Sequence, residues 1–86
     1  MARYEILLRQ SVLKKDLLKL PKADVQKIME AIRSLRDIPR PPGIQKLSGQ
    51  ERYRIRQGDY RIIFSIQDAE HTIWIVKIGH RRDVYK

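Results

Sequence analysis

Arginines alternate along one stretch of this chain. Arg52, Arg54 and Arg56 sit two residues apart, and Arg61 follows just past Gly58-Asp59. A second basic stretch, Gly79-His80-Arg81-Arg82-Asp83-Val84-Tyr85-Lys86, closes the sequence after an apolar run. Successive side chains in a strand point to opposite faces, so the three alternating arginines share one. A two-residue turn at Gly58-Asp59 pairs Gln57 with Tyr60, Arg56 with Arg61 and Arg54 with Ile63. Like charges facing each other across strands repel. Two readings of that pair stand side by side. Either the long side chains splay apart on a solvated face, or the face binds an anion. Arg81 and Arg82, leaving a third strand beside the hairpin, favour the anion. Four or five guanidiniums then converge, with Asp83 as the only acid among them. Guanidinium forks match phosphate oxygens.

The chemistry this set can do is narrow. The sequence offers no carboxylate pair, no metal-ligand cluster, no serine beside a plausible base and no glycine-rich phosphate loop. No metal site and no cofactor are expected. Arginine stabilises developing phosphate charge, but its high pKa makes it a poor proton shuttle. Tyr85 has an ordinary pKa near ~10, which neighbouring guanidiniums lower by favouring the phenolate, so it can serve as a general base. His80 titrates in the useful range. It is either an acid or base of the site, or a solvent-facing neighbour of Arg81. Trp74 either offers a ring for a nucleobase to stack on or simply packs. These parts suit attack of an RNA 2′-hydroxyl on its own 3′-phosphate. There the substrate supplies the nucleophile, and the protein aligns it, takes a proton and stabilises charge.

The whole chain bears on the partner and the compartment. Nineteen Lys and Arg against ten Asp and Glu leave a net charge of +9, which predicts an anionic partner, nucleic acid first. Absence of cysteine rules out disulfides and weakens a secreted reading. No apolar run is long enough for a signal peptide or a membrane span, so a cytoplasmic protein without a membrane partner is expected. Eighty-six residues make one domain, 1–86, with room for two layers.

Those layers must position the arginines. Ala2 to Leu8 alternates as a strand, with Tyr4, Ile6 and Leu8 on one side. Ser11 is expected to cap a helix to about Leu18, with Leu13, Leu17 and Leu20 as its stripe. Pro21 ends it. A second helix runs to about Arg36, capped by Asp24 or starting earlier at Pro21, with Val25, Ile28, Met29, Ile32 and Leu35 at helical spacing. Ile38-Pro39-Arg40-Pro41-Pro42-Gly43 is a stiff connector, and Ile44 to Gly49 continues as loop with Leu47 in the core. Strands Arg52–Gln57, Tyr60–Gln67 and Thr72–Ile78 form a meander. Tyr53, Ile55, Tyr60, Ile62, Phe64 and Ile66 face the helices. Continued alternation puts Ile73 and Ile75 with them, and Trp74, Val76 and Ile78 on the arginine face; a bulge would swap that last register. The fold class is α+β: an N-terminal strand and helical hairpin packed on a mainly antiparallel sheet.

Tyr53-Arg54-Ile55-Arg56, Gly58-Asp59-Tyr60-Arg61-Ile62-Ile63-Phe64 and Ile78-Gly79-His80-Arg81-Arg82-Asp83-Val84-Tyr85, together with Lys46-Leu47-Ser48-Gly49 after the connector, resemble the RelE branch of the RelE/ParE toxin superfamily. The resemblance spans nearly the whole chain. It implies a toxin of a type II toxin–antitoxin pair: a ribosome-dependent endonuclease that cuts mRNA in the 70S A site and is inhibited by a RelB-like antitoxin. By position, Arg61, Arg81 and Tyr85 match the family's arginines and C-terminal tyrosine, and with His80 they form the expected catalytic set. Arg54 and Arg56 stand where the founding type has lysines. With Arg52, Lys46 and Arg82 they form the expected phosphate-binding set. The alternatives are a ParE-like gyrase poison without chemistry, which shares the fold but generally lacks this arginine and tyrosine set, and an inactive basic RNA-binding module.

Overall fold

The computed structural model describes residues 3–47 and 51–82. Its centre is a five-stranded sheet in the order β1-β5-β4-β3-β2. The strands are β1 (Glu5–Leu8), β2 (Gln45–Lys46), β3 (Arg52–Gln57), β4 (Tyr60–Gln67) and β5 (Thr72–His80). β1 runs parallel to β5 and every other pairing is antiparallel. Two helical segments cover one face, Val12 to Lys19 and the α-helix α1 (Lys22–Ser34). The α+β class read from the sequence is the class observed.

The meander follows its alternation. β3 and β4 have the expected bounds and register, with Arg56 opposite Arg61 and Arg54 opposite Ile63. Gly58 takes a φ of +60°, the left-handed value that a residue without a Cβ adopts at no steric cost. Ile55, Ile62, Phe64 and Ile66 are buried against Val12, Ile28, Ile32 and Leu35 of the helical layer. Each fully buried side chain of this size contributes roughly 1.5–3 kcal/mol.

Three expectations need correction. Between Ile63 and Phe64 the register with β5 shifts: Ile63 pairs with Lys77 but Phe64 with Ile75, so Val76 is the extra residue of a bulge. Strict alternation would send Lys77 into the core and Ile78 to the outer face. The bulge reverses both, and Ile78 is buried in the helix-side core at 2% exposure. Second, the chain after the connector is not all loop, because Gln45 and Lys46 pair with Arg54 and Tyr53 as edge strand β2. Leu47 accordingly packs on Ile63 and Val76, on the face away from the helices. Third, the first helical segment is wide at its start. Leu17 N–H bonds to Val12 O, an i to i+5 bond, and the segment then tightens over Leu17–Lys19. The wider turn rotates the stripe, so Val12 is buried and Leu13 is 51% exposed. Ser11 is itself helical and caps nothing. Of the two starts open to α1, the structure takes the earlier: it begins after Pro21, with Asp24 inside its first turn.

β1 covers β5 only as far as Ile75. Beyond it the strand edge is open, and there Asp16 Oδ2 accepts a hydrogen bond from Ile78 N–H at 3.0 Å. At the opposite end of the sheet Asp68 ties the connector down. Arg40 donates to both its oxygens, at 3.1 and 2.8 Å, and the Tyr4 hydroxyl donates at 2.7 Å. These donors hold the Asp68 carboxyl at about 2. A folded-state pKa below the unfolded value near ~3.9 stabilises the fold above that value, and the effect is lost as pH falls through the folded one. Asp68→Asn should therefore melt at a lower temperature than the wild type at pH 7. The gap should close between pH ~4 and about 2. A gap independent of pH over that window would mean that the carboxylate charge contributes nothing.

Candidate nucleic-acid interface

The outer face of the sheet, opposite the helices, carries the arginines in rows set by strand pairing. Arg56, Arg61 and Gly79 form one row, Arg54, Ile63 and Lys77 the next, and Arg52, Ser65 and Trp74 the third. Gly79, opposite Arg61, adds no side chain to its row. Arg54, Arg56 and Arg61 line a concavity of about 270 Å³ with Gly43 and Gln45. Arg81 joins them from the β5 side: its backbone N–H donates to Asp59 O at 2.8 Å, one step beyond the Tyr60–His80 pair, and its charge acts on Arg61.

Electrostatics mark Arg61 as the centre of the group. Burial lowers its pKa first, and the charges of Arg56, Arg54 and Arg81 lower it further. An arginine remains protonated even so. Its Nη1 donates to Tyr60 O at 3.2 Å, which anchors the side chain at one end. Among the described residues no carboxylate forms a salt bridge with Arg56, Arg61 or Arg81; the three ion pairs join Arg3 to Asp37, Arg40 to Asp68 and Lys46 to Glu51. The face is a concentrated positive surface whose natural complement is an anion with several oxygens.

Other expected site residues lie elsewhere. Lys46 pairs in register with Tyr53, so it belongs to the helix side of the sheet edge, and its ammonium is 3.3 Å from Glu51. His80 pairs with Tyr60 and meets its ring edge-on at 5.8 Å, again on the helix side. Its Nδ1 accepts a hydrogen bond from Arg82 N–H at 3.2 Å. The bulge at Val76 is the reason, since it moves His80 off the arginine face and puts Gly79 there. Arg82 is exposed in the turn after β5. Arg52 lies at the Trp74 end, beside a wider hollow of about 660 Å³ that Arg9, Glu51, Ser65 and Gln67 also line. Tyr85 and Asp83 lie outside the described residues. Among the described residues no group of three His, Asp or Glu side chains is placed to hold a metal ion, and no helix is long and apolar enough to cross a membrane.

Arg9 and Gln67 did not stand out in the sequence. Arg9 had a signal: if Tyr4, Ile6 and Leu8 face the core, Leu7 and Arg9 face outward. Its closeness to Trp74 depends on the parallel pairing of β1 with β5, which places Leu7 opposite Trp74, and no local pattern reveals that.

The structure is a small α+β domain with a basic face on a five-stranded sheet backed by two helical segments, and comparison with known proteins specifies its family. Residues 6–85 match the family described as the ParE toxin of type II toxin–antitoxin systems, parDE, and the chain belongs to that family, within the RelE-like toxin superfamily. It is 32% identical, over 98% of its length and 97% of the relative's, to a protein of Methanocaldococcus jannaschii that bears the toxin name RelE1. The toxin in the archaeal RelE–RelB complex of Pyrococcus horikoshii superposes with a TM-score of 0.82 at 32% identity, covering 95% of this chain and 99% of that one. The RelB–RelE antitoxin–toxin complex of Methanococcus jannaschii gives 0.75 at 26% identity, covering 93% and 95%.

Proposed function

We propose that this toxin is a metal-independent endoribonuclease that cuts mRNA in the ribosomal A site, and that a RelB-like antitoxin restrains it. The observation that carries the reading is the convergence of Arg54, Arg56, Arg61 and Arg81 on one face of the sheet. Guanidiniums so placed grip a phosphate and stabilise the charge that builds up as a 2′-hydroxyl attacks it. The protein then need not supply a nucleophile. Tyr85 is the base in this reading. His80, on the helix side of the sheet, holds the start of the tail through Arg82. The ribosome supplies the message as an aligned single strand, which removes most of the entropic cost of orienting the attack. The antitoxin belongs to the proposal because solved relatives are RelE–RelB complexes and because the free protein carries a net charge of +9.

The matched family's description as ParE toxins favours a second reading, inhibition of DNA gyrase through protein contacts. One experiment separates them. Purified toxin added to ribosomes paused on a defined message should yield a new 3′ end at the A-site codon by primer extension, and should leave gyrase supercoiling unaffected. An intact message together with blocked supercoiling would establish the gyrase reading instead.

A further inference from the structure

We propose that the hollow around Trp74 is a second subsite on the RNA path, which stacks a nucleobase a few nucleotides away from the phosphate held at Arg61. The inference rests on the RNA reading above and names the part of the substrate this end of the face receives. The hollow, about 660 Å³, is the wider of the two on the outer face described above. Trp74 is half-buried and shares its row with Arg52 and Ser65. It belongs to neither apolar cluster; the apolar middle of this face is made by Ile63, Val76 and Leu47 without it. An indole lining an open hollow beside Val76 offers a π surface, and aromatic rings on a basic groove are how single strands are held irrespective of sequence. The walls fit the rest of a nucleotide. Arg9 and Arg52 suit the phosphate, and the Ser65 hydroxyl and Gln67 amide supply donors and acceptors for a base edge. Glu51, the carboxylate at the rim, is engaged by Lys46 at 3.3 Å. Ser65 lies four positions along β4 from Arg61, roughly 13 Å at a strand's rise per residue. An extended single strand crosses that span in a few nucleotides, over the Ile63 and Val76 surface.

Trp74 is the chain's one tryptophan, so its own fluorescence reports the subsite. Short single-stranded RNA titrated into wild-type toxin should quench it, and an abasic oligoribonucleotide of equal length, which presents the same phosphates, should not. In anisotropy titrations with end-labelled RNA, Trp74→Phe should keep most of the affinity, while Trp74→Leu, of similar apolar character but without a π face, should weaken it roughly 5- to 100-fold. Equal quenching by the abasic strand, or wild-type affinity in Trp74→Leu, overturns the proposal. The quenching arm needs no variant, so misfolding of Trp74→Leu leaves the test intact. Message cleavage on ribosomes is scored separately. Base-dependent quenching without cleavage keeps the subsite and removes the nuclease reading; cleavage without base-dependent quenching does the reverse.

Discussion

Arg61→Ala should cut the rate of message cleavage by roughly 10²–10³-fold, the usual loss when one preorganised donor to a developing oxyanion is removed. Arg61 is singled out by position. It lies between Arg56 and the side-chain-free Gly79, is half-buried, and has the charges of Arg54, Arg56 and Arg81 acting on it. A phosphate seated there relieves that repulsion as it binds, and relieves it more as negative charge builds up in the transition state. Ribosome binding should fall much less, since one phosphate contact among several is a small part of association. Arg61→Lys should recover only part of the rate, because an ammonium keeps the charge but not the two-pronged geometry. Arg33→Ala, an exposed arginine on α1, should change neither quantity. Single-turnover cleavage on preassembled ribosomes gives the rate, and sedimentation with ribosomes gives the binding. Equal losses in both would reduce Arg61 to an anchor for the phosphate backbone.

How much of this surface was legible in the sequence depended on how local its cause was. Arg56 facing Arg61 follows from a two-residue turn, and a turn is written in adjacent residues. The core face of β3 and β4 follows from the same alternation. The face of His80 did not follow. It turns on the bulge at Val76, and one inserted residue flips every side chain beyond it. A clue was present in Lys77, which strict alternation from Ile73 and Ile75 would bury. Lys46 was misplaced for a related reason: β2 is two residues long and exists only because β3 lies beside it. The wide turn at Val12 likewise reflects packing against the sheet. A helical stripe read at ordinary spacing therefore selected Leu13, one position too late. Arg81, by contrast, reaches the cluster as the meander implied: it leaves β5 beside the hairpin, where its backbone N–H bonds to Asp59 O.

A message carrying a single 2′-deoxy residue on the 5′ side of the cut should resist cleavage at that position altogether, while neighbouring sites with intact ribose remain susceptible. The contents of the described site decide which group attacks. Its face presents guanidiniums, which stabilise charge but do not attack, and no described side chain on it is an activated nucleophile. The hydroxyl adjacent to the phosphate is then the attacking group. The bond it forms expels the 5′-oxygen of the next nucleotide, so the products carry a 2′,3′-cyclic phosphate and a 5′-hydroxyl. Tyr85→Phe keeps the ring and removes the proton acceptor, so it should slow the same step while leaving ribosome binding nearly unchanged. End-group analysis and the deoxy substitution read the same bond from two sides. A 5′-phosphate on the downstream fragment, or a cut at the deoxy position, would show that water or another external nucleophile attacks, and the arginine face would then need a base and a nucleophile that this reading does not give it.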